Sequence, residues 1–403
     1  MRVASLDFIR GVAVLGILAI NVAGFAGPSI GTLAPNLTSP ASFWDEVAFA
    51  FNFVVFEGKM RALFAMLFGA SMALFIERAE AAGLNAEALQ VRRLGWLLLF
   101  GALHYALLWW GDILFAYGAC GVIVLLAHRL PIRLLLVGSA ALFIVVHLQG
   151  LLSALPMVQA EEAVRLHHAT ALQTAGYDQY RTYIAEGIAR EMGQYAGGFW
   201  HIAMTKLRDH PFWLLQGVRD GFGEYVPMMT LGLVLQRMGF FVGAWRKGTM
   251  LSIGLGATAA GLASTLAALM WLWRRDFPVA AMDATLRYAL ALPHLLMALG
   301  YAALLVLAAP ALTQTVLGQR LAAAGRVAFS NYLGTSLVMT AIFYGWGLGL
   351  FGDVGALGGW AFVLLCWALM LGWSLPWLTR WRRGPLEWLW RSLAEGTWLP
   401  NRR

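Results

Sequence analysis

The stretch "RRLGWLLLFGALHYALLWWGDIL", residues 92–114, decides the fold class of this chain. Between its arginines and its aspartate runs an apolar segment of about the 20 residues that one α-helix needs to cross a bilayer. Gly111 permits a tight turn after this segment, and Asp112 opens the returning helix. His104 lies 11 residues beyond Arg93, which is roughly 16 Å along a helix and near the middle of the bilayer core. The stretch predicts a membrane hairpin that holds a histidine at mid-depth.

The composition of the whole chain also indicates a membrane protein. Its 403 residues are 60% hydrophobic and only 12% charged, with a mean hydropathy of +0.68, whereas a soluble chain of this length carries far more charge. The net charge of +8 is explained by cytoplasmic loops rich in Lys and Arg, so no nucleic-acid partner is expected. Cys120 and Cys366 both lie in apolar spans, and we expect neither a disulfide framework nor a metal site. The predicted fold class is an all-α, polytopic integral membrane helix bundle.

Ten apolar stretches are predicted to be transmembrane helices. They are residues 7–27, 60–78, 93–110, 112–128, 132–153, 213–239, 248–272, 285–309, 327–350 and 355–378. A shorter apolar segment at 43–57 is predicted to lie at the interface or to re-enter the membrane. The chain then divides into an N-terminal bundle of five spans (1–153), a loop with short helices (154–210) and a C-terminal bundle of five spans (211–403) that ends in an amphipathic tail.

The distribution of Lys and Arg predicts that both termini are cytoplasmic and that the loop 154–210 is extracytoplasmic. With the N-terminus inside, 18 of the 29 Lys and Arg residues fall on the inner face, as the positive-inside rule requires. These are Arg2, Arg10, Arg78, Arg92, Arg93, Arg129, Arg133, Arg237, Arg246, Lys247, Arg320, Arg326, Arg380, Arg382, Arg383, Arg391, Arg402 and Arg403.

Tryptophans are predicted to mark both membrane surfaces. Trp109 and Trp110 end the third span at its outer boundary, where aromatic side chains are common. The tail "GPLEWLWRSLAEGTWLP", residues 384–400, has the pattern of a short amphipathic helix. Its tryptophans, Trp388, Trp390 and Trp398, are predicted to anchor it among the lipid headgroups.

His104 and Asp112 are the first candidates for a functional site. Ionisable groups inside a membrane are expensive and are functional hypotheses by default, although a histidine can also simply hydrogen-bond two helices. Asp112 either caps the returning helix or orients the imidazole of His104. His294, in "LPHLLMALG" (292–300), lies at a similar depth and is the competing histidine.

The first span, "SLDFIRGVAVLGILAIN" (5–21), carries a second set of polar residues. Asp7 and Arg10 are three positions apart and share one helical face, so they are predicted to pair. Asn21 follows Arg10 by about three turns on the same face. We expect the pair to hold the mouth of a cavity; the alternative is a cationic anchor with a satisfied acid.

A third set lies in "FEGKMRALFAMLFG", residues 56–69. Glu57 and Lys59 flank a flexible glycine and are predicted to shape a polar pocket above His104. A helix start with snorkelling cations is the alternative. Glu224 and Asn331 are weaker candidates for the same cavity, because hydrogen bonding between helices also explains them.

Five motifs in the same order resemble the YeiB-like family of bacterial membrane proteins, whose C-terminal half is a domain of unknown function. They are "SLDFIRGVAVLGILAIN", "EGKMRALFAMLFG", "RRLGWLLLFGALHYALLWWGDIL", "GRVAFSNYLGTS" and "GPLEWLWRSL". The resemblance implies a multi-pass protein of the bacterial inner membrane, in contact with membrane lipids and of open oligomeric state.

This family is in turn similar to the transmembrane acyltransferase superfamily, which includes heparan-α-glucosaminide N-acetyltransferase. Its L-D-x-x-R-G signature is matched here by Leu6, Asp7, Arg10 and Gly11. The resemblance implies O- or N-acyl transfer, without a metal, from cytoplasmic acyl-CoA (acetyl-CoA) to an extracytoplasmic or small-molecule acceptor. The catalytic histidine of these enzymes lies in or shortly after the first span, whereas this chain has no histidine before His104. The catalytic role is therefore assigned to His104, with Asp112 as its partner.

Two other functions fit the same residues. Polar groups at mid-membrane also suit a transporter or exporter whose path is lined by His104, Asp112, Glu57 and Lys59. A lipid-binding membrane protein without catalysis is the third reading. The signature in the first span favours the enzyme, and the absence of an obvious repeat of inverted halves disfavours the transporter.

Overall fold

The computed structural model describes residues 4–38 and 40–403, and this part of the chain is helical without β-strands. Arg2, one of the predicted inner cations, lies outside the described residues. In chain order the helices are α1 Ala4–Ala26, α2 Phe43–Val55, α3 Lys59–Ala81, α4 Ala86–Leu107, α5 Leu114–Ala127, α6 Ile132–Arg165, α7 Ala171–Tyr195, α8 Phe199–Asp209, α9 Trp213–Arg237, α10 Lys247–Trp273, α11 Val279–Ala284, α12 Ala291–Leu312, α13 Val316–Arg326, α14 Ala328–Phe343, α15 Ala356–Arg380 and α16 Pro385–Glu395.

Each predicted span coincides with a helix, namely α1, α3, α4, α5, α6, α9, α10, α12, α14 and α15. Six helical runs are long and apolar enough to cross a membrane: Ser5–Ala26, Phe43–Ala81, Ile132–Arg165, Lys247–Trp273, Ala291–Leu312 and Ala356–Arg380. Helices α5 and α14 are apolar but shorter. The predicted fold class, an all-α membrane helix bundle, is confirmed.

Helix α4 begins at Ala86, before the predicted start at residue 93, and two predicted ends are also wrong. Helix α6 continues to Arg165, past the predicted end at residue 153, because its last turns are polar yet rich in residues that favour helix. Helix α14 ends at Phe343, before the predicted end at residue 350. The chain turns there at Gly349, which has a φ of +72° that other residues rarely adopt.

The short apolar segment predicted at 43–57 is helix α2, and it packs against α1 within the bundle. It joins α3 at an elbow formed by Gly58, whose φ is +72°. The Asn52 amide donates to the carbonyl oxygen of Ala19 in α1 at 2.6 Å. The elbow packs against Gly16, near the middle of α1. Together α2 and α3 form one apolar run, Phe43–Ala81, that is long enough to cross a membrane.

Glycines bring several helices into backbone contact. A Cβ atom added to Gly11 of α1 would clash with the Leu321 carbonyl of α13. Small residues allow this kind of close approach between membrane helices. Because α1 packs against α13 and α14, and α3 packs against α9 and α12, helices of the two predicted halves form one bundle. We call the end that carries the start of α1 and α16 the inner end.

Helices α7 and α8 cover the outer end of the bundle. The Glu191 carboxylate in α7 accepts hydrogen bonds from the Ser29 backbone N–H (2.7 Å) and hydroxyl (2.6 Å). Burial raises the pKa of Glu191 above its usual value. The buried Lys206 ammonium in α8 donates to the carbonyl oxygens of Tyr105 (2.6 Å) and Leu108 (3.2 Å). Helix α8 is thus fixed to the last turn of α4, which is also the turn that carries His104.

Candidate functional site

His104 and Asp112 form a buried pair at the tip of the α4–α5 hairpin. The Nδ1 atom of His104 lies 2.8 Å from Oδ1 of Asp112, and both side chains are 0% exposed. The other oxygen, Oδ2, accepts the backbone N–H of Phe115 at 2.8 Å in the first turn of α5. The Asp112 carboxylate therefore has both of the roles that the sequence offers as alternatives. It caps α5, and it orients the imidazole of His104.

This geometry prepares the other nitrogen of His104 as a base. A carboxylate at Nδ1 favours the tautomer with the proton on that atom, which leaves a lone pair on Nε2. The Nε2 atom is buried and has no hydrogen-bond partner among the described residues. Buried polar atoms are usually satisfied, so an orphan imidazole nitrogen beside a carboxylate marks a candidate reactive group.

The turn between α4 and α5 lies inside the bundle, which corrects the prediction for Trp109 and Trp110. The Trp109 ring stacks on Phe25 of α1 with centroids 4.1 Å apart. Both indole N–H groups donate to the carbonyl oxygen of Gly24 at 3.1 Å. These tryptophans do not mark a lipid interface, because each indole N–H finds its acceptor within the protein.

A cavity of about 200 Å³ opens beside this hairpin, between α1, α3, α4, α5, α14 and α16. Its inner part is lined by polar side chains, namely Arg10, Ser71, Gln90, Arg93, Arg326 and Glu387. Its deeper part is lined by apolar and aromatic ones, including Phe64, Phe68, Ile113, Leu114, Tyr117 and Tyr332. The cavity is therefore cationic at the inner end and apolar toward the hairpin.

The predicted pair of Asp7 and Arg10 is confirmed, with 3.3 Å between Nη1 of Arg10 and Oδ1 of Asp7. The same guanidinium donates to the Ser71 hydroxyl of α3 at 2.8 Å and to the Gly325 carbonyl at 3.4 Å. Arg10 lines the cavity. It thus ties α1, α3 and α13 together at the mouth of the cavity.

Arg93 and Trp390 close the mouth on the side of α4, which corrects the prediction for the tail. The Arg93 guanidinium carbon lies 4.0 Å from the ring centroid of Phe75 and 4.8 Å from that of Trp390. The Trp390 N–H donates to the Arg93 carbonyl oxygen at 2.9 Å. Trp390 is therefore docked on the protein by cation–π contact instead of lying among lipid headgroups, whereas Trp398 is 70% exposed.

Glu387 is a cavity residue that sequence reasoning missed. Its carboxylate accepts the Ser330 backbone N–H at 2.9 Å and the Ser330 hydroxyl at 2.6 Å. It therefore caps the N-terminus of α14, where the helix dipole favours an anion. Burial raises the pKa of Glu387 despite these hydrogen bonds. In the sequence, Glu387 is marked only as the acidic residue in the first turn of a basic, Trp-rich helix.

The four other ionisable residues that were predicted to line the cavity form a separate cluster. Glu57, Lys59, Glu224 and His294 are absent from the cavity lining. Arg61 joins two of them, with Nε 3.0 Å from Glu224 and Nη1 3.5 Å from Glu57. Glu57 and Lys59 therefore do not line this cavity, because the elbow at the start of α3 directs this segment toward α9 and α12.

Lys59 and His294 are buried on either side of that elbow. The Lys59 ammonium donates to the Phe53 carbonyl oxygen at 2.6 Å, at the C-terminal end of α2. The His294 ring lies so close to Gly58 that a Cβ there would overlap the imidazole. Its Nε2 atom, like that of His104, has no partner among the described residues. His294 has no carboxylate at Nδ1 in the structure, which distinguishes it from His104.

Asn21 lies beside a small gap next to Tyr332, whereas Asn331 lies between helices. Asn21 lines a gap of about 10 Å³ with Tyr332, Thr335 and Ser336. The Asn331 amide donates to the Ala324 carbonyl oxygen at 3.1 Å and accepts the indole N–H of Trp373 at 2.8 Å. Asn331 therefore links helices, which was the alternative to its predicted place in the cavity.

Fold and site together define a polytopic helical membrane protein with a buried His–Asp pair beside a cation-lined cavity. The chain belongs to the YeiB-like family: it is 31% identical to the uncharacterized protein YeiB of Escherichia coli K12, over 98% of this chain and 96% of that protein. It is also 29% identical to the uncharacterized protein YxaH of Bacillus subtilis 168, over 99% of this chain and 96% of that protein.

The family model that matches is described as a protein of unknown function, DUF418, and it covers residues 235–397. This segment contains the last helices of the bundle and the tail that closes the cavity. No solved structure matches the chain significantly. None of these descriptions names an activity, a substrate or a partner.

Proposed function

We propose that this protein is a transmembrane acyltransferase that moves a small acyl group from cytoplasmic acyl-CoA to a hydroxyl or amine acceptor. The observation that carries the proposal is the buried pair of His104 and Asp112, whose geometry leaves Nε2 of the imidazole free to accept a proton. The pair lies beside the apolar end of a cavity whose other end is cationic.

The cavity fits the two chemical parts of an acyl-CoA donor. Arg10, Arg93 and Arg326 line its inner part, and guanidinium groups bind phosphate oxygens well. Phe64 and Phe68 line the deeper part, where an acyl chain would replace water. The donor would therefore lie with its phosphates toward the cytoplasm and its acyl end toward the hairpin.

The residues of the hairpin supply the proton chemistry. Bound acyl-CoA provides a thioester, whose carbon–sulfur bond breaks as the new acyl–oxygen or acyl–nitrogen bond forms. Asp112 keeps a proton on Nδ1 of His104, so that Nε2 accepts the proton of the acceptor O–H or N–H. The same Nε2–H then returns this proton to the departing sulfur, and His104 ends as it began.

A transporter is the second candidate, because one observation favours it. Ionisable side chains cluster on the apolar helices α3, α9 and α12, around the elbow between α2 and α3. They are Glu57, Lys59, Arg61, Glu224 and His294. Clusters of ionisable groups inside a membrane commonly form substrate or proton paths. In that case Glu224→Gln would abolish substrate movement, and wild-type protein would release no CoA thiol.

The test is the release of CoA thiol from acetyl-CoA by the purified full-length protein, with glucosamine as the acceptor probe. We expect His104→Gln to lower this rate by about 10²–10⁴-fold, since an amide cannot act as the base. His147→Gln is the matched control, because its ring nitrogen bonds only to the Phe143 carbonyl of its own helix. Both variants should unfold at the wild-type temperature.

Full thiol release by a folded His104→Gln variant would reject the catalytic role of His104. His294→Gln would then be the next variant to measure. Absence of thiol release from wild-type protein with any tested acceptor, together with transport that depends on Glu224, would favour the transporter.

A further inference from the structure

The ring of Tyr332 lines the cavity and also lies against the His104 imidazole. Tyr332 lines the cavity, and its ring centroid lies 5.2 Å from that of the His104 imidazole. His104 itself is not part of the lining, and its side chain is 0% exposed. A molecule in the cavity therefore meets the phenol ring before it reaches Nε2 of His104.

The Tyr332 hydroxyl holds this ring to the hairpin turn, where it bonds to the backbone of Gly111 and of Ile113. The Tyr332 hydroxyl donates to the carbonyl oxygen of Gly111 at 3.3 Å. Gly111 is the residue directly before Asp112. Hydrogen bonds of hydroxyl groups are most often 2.7–2.8 Å long, so this contact is a weak latch. Breaking it leaves the pair of His104 and Asp112 intact.

The ring also borders a second, smaller space. Tyr332 lines the gap of about 10 Å³ that it shares with Asn21, Thr335 and Ser336. Protein interiors are close-packed, so a buried ring can turn only where free volume adjoins it. Here the ring borders both the large cavity and this gap. The Asn21 amide lines the same gap and is the acceptor that we assign to the displaced hydroxyl.

We infer that Tyr332 is a gate: its ring turns from Gly111 toward Asn21 and thereby connects the cavity with Nε2 of His104. Tyr332 acts through His104 and is a positioning residue, not a base. A role of this gate in catalysis rests on the proposed acyl transfer. The movement of the Tyr332 ring does not depend on that proposal. In the closed position the ring keeps cavity water from the imidazole, and in the open position donor and base meet.

The gate is tested by the rate at which diethyl pyrocarbonate modifies His104 in the purified full-length protein, measured by mass spectrometry. We expect slow modification in the wild type and at least a tenfold faster rate in Tyr332→Ala. Tyr332→Phe keeps the ring but loses the latch, and its rate should lie between these two. The exposed His201 serves as the internal reference for reagent activity.

Tyr117→Ala is the matched control, because Tyr117 lines the same cavity and its hydroxyl bonds to the Arg61 carbonyl oxygen instead of the hairpin turn. This variant enlarges the cavity but leaves the gate in place, so His104 should stay slow to react. Equal rates at His104 in wild type and in a folded Tyr332→Phe or Tyr332→Ala variant would overturn the gate. So would an equal rise in Tyr117→Ala.

A second readout separates this inference from the proposed function. If the protein is an acyltransferase, Tyr332→Ala should admit water and raise thiol release from bound acetyl-CoA in the absence of an acceptor. If the wild type releases no thiol, the proposed function fails, and the modification rates at His104 still decide the gate. Unchanged acceptor-independent release in Tyr332→Ala, in a protein that does transfer acyl groups, would exclude a role for the gate in catalysis.

Discussion

Asp112 shows how a single carboxylate can be retained in an apolar interior. A buried charge is costly unless it is paired and hydrogen-bonded. Here Oδ1 meets the imidazole of His104 and Oδ2 meets the N–H of Phe115, each at 2.8 Å. Removal of the carboxylate would leave both donors buried without an acceptor. Both oxygens of the carboxylate therefore have a hydrogen-bond donor, which offsets the cost of burying its charge.

Arg10 is the residue for which we expect the clearest effect of a conservative change. Its guanidinium reaches partners in three helices, Asp7, Ser71 and Gly325. A lysine presents one point charge instead of a planar fork and cannot hold all three. We expect Arg10→Lys to lower the free energy of unfolding by on the order of 1.5–3 kcal/mol, the value of a hydrogen bond to a charged group, as measured by thermal unfolding in detergent.

Arg133→Lys is the control for this change, since Arg133 is exposed at the start of α6. Its unfolding temperature should equal that of the wild type. Equal stability of Arg10→Lys and Arg133→Lys would show that the three contacts of Arg10 contribute nothing measurable.

At the scale of the helices, paired glycines bring α3 and α9 together. A Cβ atom on Gly69 of α3 would clash with the Met229 carbonyl, and one on Gly232 of α9 would clash with the Met66 carbonyl. The two contacts are reciprocal, so the two backbones touch on both sides. Small residues let membrane helices gain packing contacts in this way.

We predict that Gly69→Ala destabilises the bundle by about 1–3 kcal/mol, the usual cost of extra atoms in a packed interior. The clash is with backbone, which cannot move aside as a side chain can. The measurement is the thermal unfolding temperature in detergent. Gly138→Ala in α6 is the control, because a Cβ there meets open space. A wild-type unfolding temperature for Gly69→Ala would mean that α3 and α9 are less closely packed than described.

At the scale of the whole molecule, the cavity depends on parts of the chain that are distant in sequence. Helices α1, α3, α4 and α5 supply its walls, and α14 and α16 close it from the C-terminal half. Neither half alone would enclose it. The outer end is covered by α8, which the Lys206 ammonium fixes to α4. The molecule thus has a cationic inner entrance and a separate outer cover over one buried pair.

The predicted orientation of the bundle can be tested by cysteine labelling in intact cells. Both native cysteines are buried, which keeps background labelling low. Tyr183→Cys in α7 and Leu84→Cys between α3 and α4 replace side chains that are 68% and 55% exposed. An impermeant maleimide should label position 183 from outside the inner membrane, and position 84 only after permeabilisation. The opposite pattern would reverse the topology.

Sequence alone determined the features that depend on local pattern. Hydropathy and length identified the membrane class and the helices, and spacing identified the pair of Asp7 and Arg10, which lie within one turn. The helical period places neighbours of this kind on one face whatever the rest of the fold does. For α2 the sequence leaves two positions open, because its short apolar run specifies a helix but not its depth.

Only the tertiary structure decided which polar residues meet across the bundle. Glu387 reaches Ser330 over 57 positions, and Trp390 reaches Arg93 over 297. Glu57 and Lys59, which their predicted depth would place near His104, turn to α9 and α12. The physical reason is that helix packing follows the fit of surfaces, such as the glycine contact of α3 with α9, and hydropathy carries no information about that fit.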